Sequence, residues 1–386
     1  MPTYLDNNAT TPLAAAARAA MEPFLADDFG NASSRHSYGR RARDAVEKAR
    51  TQVAEAVGAK SGEVIFTASG TESNNTFIKG AAAFSLRASA AVGATEHPCV
   101  LCAARSLGRG GISYAPLAVD KNGALDIADL HQTLAANKDG AAAGCGLVSV
   151  MLANNETGVI QDIAKIAKIA RQSGALFHTD AAQAVGKIPV SFAELGADAM
   201  TLSAHKAGGP KGAAALIIRG GVDFLPLMDG GGHEGGRRSG TENVAGIVGM
   251  GAAFAEAAAN TDARAKKMRL LRDMMESQLC AAGAHIFAAA APRLPNTSLF
   301  GFDGIDGETL VLMLDQSGFA VASGAACSSM KDDPSHVLLA MGETPQAART
   351  AVRASLSADN TKEQITAFCD AARAIKARLQ DLSAVC

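Results

Sequence analysis

Lys206 and Asp180 are the residues around which a chemistry can be built. Each stands at or just behind an apolar run, 175–179 for Asp180 and 199–203 for Lys206, where an open α/β sheet presents its ligand-binding side chains. Lys206 lies among small residues in Ser203-Ala-His205-Lys206-Ala-Gly-Gly, so its amine is accessible for Schiff-base chemistry. A third run, 63–67, ends in Thr67-Ala-Ser69-Gly70-Thr71-Glu72, where a helix pattern begins. The free N–H groups of that helix start, with the Ser69 and Thr71 hydroxyls, suit a phosphate. Taken singly, each feature has a plainer reading: an ordinary helix cap, or a satisfied surface lysine or acid. Together, a lysine nucleophile, an acid to keep a pyridine nitrogen protonated and a phosphate cradle are the parts that pyridoxal phosphate requires.

His97, in Thr95-Glu96-His97-Pro98 after the apolar run 90–94, can stack on a flat ring and move protons near neutral pH. A buried, hydrogen-bonded core histidine is the plainer alternative. Seven cysteines are scattered through the chain, an odd number without the spacing of a disulfide framework. Cys327 differs from the others, lying in Ser323-Gly324-Ala-Ala-Cys327-Ser-Ser, small polar sequence of the kind that leaves a thiol accessible as a nucleophile. Cys145, Cys280 and Cys369 sit in apolar or helical settings and read as inert small residues. Cys99 and Cys102 form a C-x-x-C, yet no second pair completes a zinc set and the segment reads as a helix. Gly230–Gly235 matches a dinucleotide-binding spacing, but no strand leads into it.

These residues must be positioned by a scaffold. In 386 residues, 36 Lys and Arg nearly balance 38 Asp and Glu, without a basic stripe, so no nucleic-acid partner is expected. Hydrophobic residues make up 48% and aromatics only 4%, a composition suited to parallel sheets covered by helices. Runs at 63–67, 146–152, 175–179, 199–203 and 213–218 read as strands, and 40–57 and 163–171 as helices, the alternation of βαβ units. A long helical stretch is expected over 252–282, then strands near 297–302 and 319–322. Neither an uninterrupted apolar span nor a secretory leader is present, so a cytoplasmic, non-membrane protein is expected.

The same residues fall into a pattern that resembles the cysteine desulfurases of the NifS and IscS type. The matching stretches are Tyr4-Leu-Asp-Asn-Asn-Ala-Thr-Thr-Pro12, Gly30-Asn-Ala-Ser-Ser-Arg-His36, Ser69-Gly-Thr-Glu-Ser-Asn-Asn75, Thr95-Glu-His-Pro98, Asn154-Asn-Glu-Thr-Gly158, His178-Thr-Asp-Ala-Ala-Gln183, Ser203-Ala-His-Lys206, 230–243 and 323–327. The resemblance implies the type I fold of pyridoxal-phosphate enzymes: an α/β large domain (15–255) with a mostly parallel seven-stranded sheet, and a smaller α/β domain (1–14 and 256–386) carrying the Cys327 loop. Lys206 would bond the cofactor, Asp180 would pair with its ring nitrogen, and Gln183 and Asn155 would reach its hydroxyl. His97 would stack on the ring, while Gly70, Thr71, Ser203 and His205 bind the phosphate. Thr241 would reach in from the second subunit of a homodimer. Arg353, in Val352-Arg-Ala-Ser-Leu356, would clamp the substrate carboxylate, as a guanidinium suits a carboxylate.

The implied reaction takes sulfur from L-cysteine, leaving L-alanine and a persulfide on Cys327, with His97 as the base for that thiol. No resident metal is implied, although Cys327 could transiently ligate an iron–sulfur cluster on a scaffold protein of the IscU or NifU kind that accepts the sulfur. Ala325 and Ala32 depart from the pattern without removing a catalytic group. The chain stops at Cys386, so the tail that docks a scaffold in relatives is expected to be short. An aminotransferase or selenocysteine lyase of the same fold uses the same parts apart from Cys327. A non-catalytic sulfur-transfer scaffold would have lost catalytic positions, and none is lost here.

Overall fold

A computed structural model describes residues 2–84, 89–136, 145–324 and 333–383. Its strands are β1 (Thr3–Tyr4), β2 (Val64–Thr67), β3 (Ser89–Gly93), β4 (Ser113–Leu117), β5 (Cys145–Ser149), β6 (Leu176–Asp180), β7 (Ala199–Ser203), β8 (Ala214–Ile218), β9 (Ala284–Ile286), β10 (Thr297–Phe302), β11 (Phe319–Ala320), β12 (Ala322–Ser323) and β13 (Val352–Ser355). Seven form one sheet in the order β2-β8-β7-β6-β5-β3-β4. Only β8 runs antiparallel to its neighbours; the remaining pairs are parallel. Strands β3, β5, β7 and β8 are buried along their whole length, which is why their sequences are continuous apolar runs rather than alternating ones.

Helices α1 (Ala15–Leu25), α2 (Ser37–Ala56), α3 (Gly70–Phe84), α4 (Pro98–Ser106), α5 (Ile127–Ala136), α6 (Ile163–Gln172), α7 (Phe192–Leu195), α8 (Val244–Ala259) and α9 (Thr261–Ala281) follow. α6 begins where the Asp162 side chain accepts from Lys165 N at 3.2 Å, and it buries Ile163, Ile166, Ile169 and Ala170, one face at helical spacing. α8 has a single charged residue, Glu256, because it is packed on two sides. A Cβ on Gly249 would meet Met21 of α1 at 2.6 Å, and one on Gly251 would meet Ala49 of α2 at 2.7 Å. Only glycine permits approach that close.

The helix expected over 252–282 is in fact two, parted at Asn260, whose φ of −117° and ψ of 8° leave the helical region. Asn260 Nδ2 donates to Glu256 O at 2.8 Å, and Thr261 Oγ1 to Ala257 O at 2.9 Å. Two side chains thus take carbonyls that a continuous helix would give to backbone N–H groups. The single strand expected near 319–322 is likewise interrupted at Val321: β11 pairs with β1, and β12 with β13.

The second sheet, β12-β13-β10-β9, is antiparallel. It has its own core of Phe300, Phe302, Leu310, Leu314, Phe368 and their neighbours, distinct from the cluster around the seven strands. The N-terminal strand β1 pairs with β11, and a bridge joins Asp6 to Ser355. Residues 3–10 therefore pass from the β1–β11 pair, beside the second sheet, to the carboxyl-end rim of the large one, by the ends of β5, β6 and β7. No helix among the described residues is long and apolar enough to cross a membrane.

Candidate active site

A cavity of about 310 Å³ opens at the carboxyl ends of the parallel strands. Gly70, Thr71, His97, Asn155, Asp180 and Gln183 line it, as do Ser203, His205, Lys206 and Arg353. Ten residues singled out along the sequence thus surround one space. Thr241 is exposed on the loop after Ser239 and is not part of this lining. Cys327 lies outside the described residues.

Each residue has a local reason for its place. β6 ends on Asp180, only 7% exposed, whose Oδ1 accepts from Ala182 N at 2.9 Å and Oδ2 from Asn74 Nδ2 at 2.7 Å. These contacts hold the carboxylate in one orientation at the cavity. α3 starts at Gly70, with Ser69 Oγ accepting from Glu72 N at 3.1 Å and Glu72 Oε2 accepting from Ala68 N at 2.8 Å. The capping reading of this segment is therefore correct as far as Glu72 N. The N–H groups of Gly70 and Thr71, earlier in the turn, have no helical partner to receive them, and they line the cavity together with Ser203, His205 and half-buried Lys206.

Behind β5, Asn154 Oδ1 accepts from the N–H groups of Glu156 and Thr157, both at 2.9 Å. That turn carries Asn155 into the lining. Arg353 comes from the other sheet, on β13, and is 3% exposed. Its Nη1 donates to Asn155 O at 3.0 Å and its Nη2 to Asp6 Oδ1 at 2.7 Å, while Nε has no hydrogen-bond partner among the described residues. A buried guanidinium N–H left unmade at a cavity wall is suited to an incoming anion.

Asn8 joins the two halves of the site. Its Nδ2 donates to Asn155 O at 3.1 Å and Thr297 Oγ1 at 2.9 Å; its Oδ1 accepts from Lys187 Nζ at 3.0 Å and Asn296 Nδ2 at 3.1 Å. Its backbone carbonyl accepts from Gln183 Nε2 at 2.9 Å. Truncating this side chain leaves buried donors of Lys187 and Asn296 short of a partner, so Asn8→Ala is expected to cost about 3 kcal/mol. Urea denaturation checks this, and a loss below about 1 kcal/mol would show that water takes over the amide's contacts.

Burial sets the electrostatics. It holds the Lys187 ammonium well below the usual lysine range, with the charges of Lys206 and Arg353 adding to the effect. It brings His205 down to about 4, helped by Lys206, Lys211 and Lys187. His178 also falls to about 4 through burial; with Ser149 Oγ at 2.8 Å, Thr201 Oγ1 at 3.1 Å and Phe77 stacked at 5.5 Å, it is a core histidine. Glu96, fully buried with Met151 N donating to its Oε1, is pushed far above the carboxylate range by that burial and secondarily by Asp180. His97 is lowered by burial first, then by Lys206 and His336 against the opposing pull of Asp180.

Glu156 is raised to about 7, burial outweighing its bond from Ser335 Oγ and the field of Arg353. The folded protein therefore holds this proton more tightly than the unfolded chain. Its stabilising contribution is complete below about pH 4.5 and disappears as the pH rises through about 7. Glu156→Gln should remove roughly 3 kcal/mol of the pH dependence of stability between pH 4.5 and 8. Denaturant midpoints of the two proteins across that range check it; parallel curves would show that Glu156 titrates in the native state as it does unfolded.

The residue-by-residue reading missed Asn8, Asn74, Glu96, Glu156 and Lys187, although all but Lys187 lie inside stretches that had been singled out. Asn8, Asn74 and Glu156 stand among other polar residues, so nothing local set them apart; except for Lys187 with Gln183, the partners of these side chains are remote in sequence. No group of three His, Cys, Asp or Glu side chains that could hold a metal ion occurs among the described residues, around the C-x-x-C pair or elsewhere. The Gly230–Gly235 stretch follows no strand directly. It is pinned by Glu234, which takes both Arg50 terminal nitrogens at 2.7 and 2.9 Å and Phe66 N at 3.0 Å, so the dinucleotide reading is set aside.

Comparison with known proteins agrees with this geometry. A cysteine desulfurase IscS of Dictyoglomus turgidum is 42% identical, covering 98% of this chain and 96% of the relative. A cysteine desulfurase of Cereibacter sphaeroides is 44% identical over 98% of this chain and 97% of its own. Among solved structures, a NifS-like protein superposes with a TM-score of 0.90 at 36% identity, covering 98% of this chain and all (100%) of its own. A NifS-like protein from Rickettsia africae gives 0.86 at 34%, covering 96% and 98%. The family aminotransferase class-V matches residues 3–368, so nearly the whole fold and every wall of the cavity fall within it: the chain belongs to the class-V aminotransferase family.

Proposed function

We propose that this chain is a cysteine desulfurase that uses pyridoxal phosphate to take sulfur from L-cysteine, yielding L-alanine and a persulfide on Cys327. The observation that carries the reading is one cavity holding Lys206, an Asp180 carboxylate bonded at both oxygens, and Arg353 whose Nε is unpaired among the described residues. The donor set fits the cofactor: the α3 start at Gly70 and Thr71, with Ser203 and His205, would hold its phosphate. Asp180 would face the ring nitrogen, and Gln183 and Asn155 its hydroxyl. When bound, pyridoxal phosphate supplies an electron-withdrawing ring that stabilises negative charge at the substrate Cα.

The chain's own residues supply the rest. Arg353 binds the substrate carboxylate, having already spent one donor on Asn155 and one on Asp6. Lys206 Nζ takes the Cα proton. In the neutral ring Nδ1 accepts from Cys99 N, so Nε2 carries the proton; His97 becomes imidazolium on taking up the Cys327 proton and neutral again on giving one to the substrate. The Cys327 thiolate then attacks the substrate sulfur: an S–S bond forms, the electron pair of the broken Cβ–S bond stays with the three-carbon fragment, His97 gives Cβ the proton it took from Cys327, Lys206 returns one to Cα, and the fragment leaves as alanine.

The division into residues 15–255 and residues 1–14 with 256–386 belongs to the same reading. So do a homodimer in which Thr241 serves the partner's phosphate site, cytoplasmic location, and an iron–sulfur scaffold as acceptor. The experiment is to give cofactor-loaded protein L-cysteine with a thiol reductant and quantify sulfide and alanine together. Equimolar products support the reading; transfer of amino groups to a keto acid without sulfide would replace it with an aminotransferase.

A further inference from the structure

Cys99 follows the His97-Pro98 turn on α4, and the reaction above gives it no task. Two of its groups converge on His97 Nδ1: Cys99 N donates at 3.2 Å, and Sγ stands 2.9 Å away. A backbone N–H can donate only to an unprotonated ring nitrogen, so Nδ1 is an acceptor, and the thiol, which also hydrogen-bonds the Thr71 side chain, is within reach to donate to it. The sulfur is itself held. Asn74 Nδ2 donates to Sγ at 3.1 Å and to Asp180 Oδ2 at 2.7 Å.

Asn74 is fully buried, lines the cavity, and has an Oδ1 without a hydrogen bond among the described residues. Flipping its amide would set Oδ1 against the Asp180 carboxylate, so both donors stay committed and the orphaned oxygen is the consequence. Burial, with Asp180 adding to it, pushes the Cys99 thiol up to about 12. The sulfur therefore keeps its proton throughout the range in which His97 works. A continuous line runs from Asp180 through Asn74 and Cys99 to the His97 ring.

We propose that Cys99 is a positioning residue: its S–H, aligned by Asn74, holds the His97 imidazole in one orientation and in the tautomer that carries the proton on Nε2. Mechanistically this rests on the reading of His97 as the proton-moving residue of the site. The tautomer can be measured whether or not that reading stands.

The test is histidine-selective ¹⁵N labelling of the cofactor-loaded enzyme and two-bond proton–nitrogen correlation, with His97 assigned through a His97→Gln variant. Wild type should show Nδ1 bare and Nε2 protonated. Cys99→Ala should show a mixture of tautomers and a kcat for alanine release lowered about three- to tenfold at unchanged KM. Cys99→Ser, whose hydroxyl donates to the same nitrogen, should restore both, and Cys99→Val, which fills the space without donating, should behave as Ala does. A pure Nε2–H signal with wild-type kcat in Cys99→Ala would overturn the proposal, leaving the backbone N–H sufficient by itself. So would a lower kcat with an unchanged tautomer and no rescue by Ser, the mark of a packing role. Absence of sulfide from wild type would instead defeat the desulfurase reading, with the tautomer signals still deciding the role of Cys99.

Discussion

Cys327→Ala is expected to release alanine and sulfide from L-cysteine at less than about one thousandth of the wild-type rate, since covalent capture of the sulfur is removed outright. The other thiols among the described residues offer no substitute. Cys99 lines the cavity but is pushed up to about 12 by burial, so at neutral pH almost none of it is thiolate. Cys145 and Cys369 are buried in the cores of the two halves, and Cys102 and Cys280 are exposed away from the lining. Cofactor absorbance should be unchanged in the variant, because Cys327 is assigned no part in holding the cofactor. A variant keeping a tenth of the activity would mean that another thiol, or free cysteine from solution, accepts the sulfur.

Lys206→Ala should be nearly as damaging, by about a thousandfold or more, because in the proposed reaction one side chain both attaches the cofactor and removes the Cα proton. Borohydride reduction of wild type should fix the cofactor to the peptide containing Lys206, while the variant should carry no covalent adduct. Lys187 cannot take over. Its Nζ is bonded to Asn8 Oδ1 and Gln183 Oε1, and it is not part of the cavity lining. An adduct of the same mass on the variant would show that a second lysine reaches the site and would remove Lys206 from its assigned role.

Much of this arrangement was legible along the chain. The strands could be read because a parallel strand covered on both faces is a short, continuous apolar run. Asp180, Lys206 and Gly70 could be read because such strands end abruptly in polar or flexible residues where ligands bind. Order along the chain was enough to relate these positions to a family. Hidden from such reading were the facts that depend on a partner far away in sequence. Asn8 meets Thr297 and Asn296 across the boundary between the two sheets, and Arg353 reaches Asp6 and Asn155 from β13. Nothing local marks Glu156 as a carboxyl titrating near 7, or Cys99 as a thiol held near 12, because both shifts arise from desolvation by elements that close over them. The break at Asn260 belongs here too, since side-chain bonds to the preceding turn outweigh a helical sequence pattern. Sequence alone determined which residue types stand at the strand ends, because hydrophobic burial writes itself into the chain. Tertiary structure alone decided their protonation, orientation and partners, because those depend on the distance and dielectric between groups that the chain brings together only by folding.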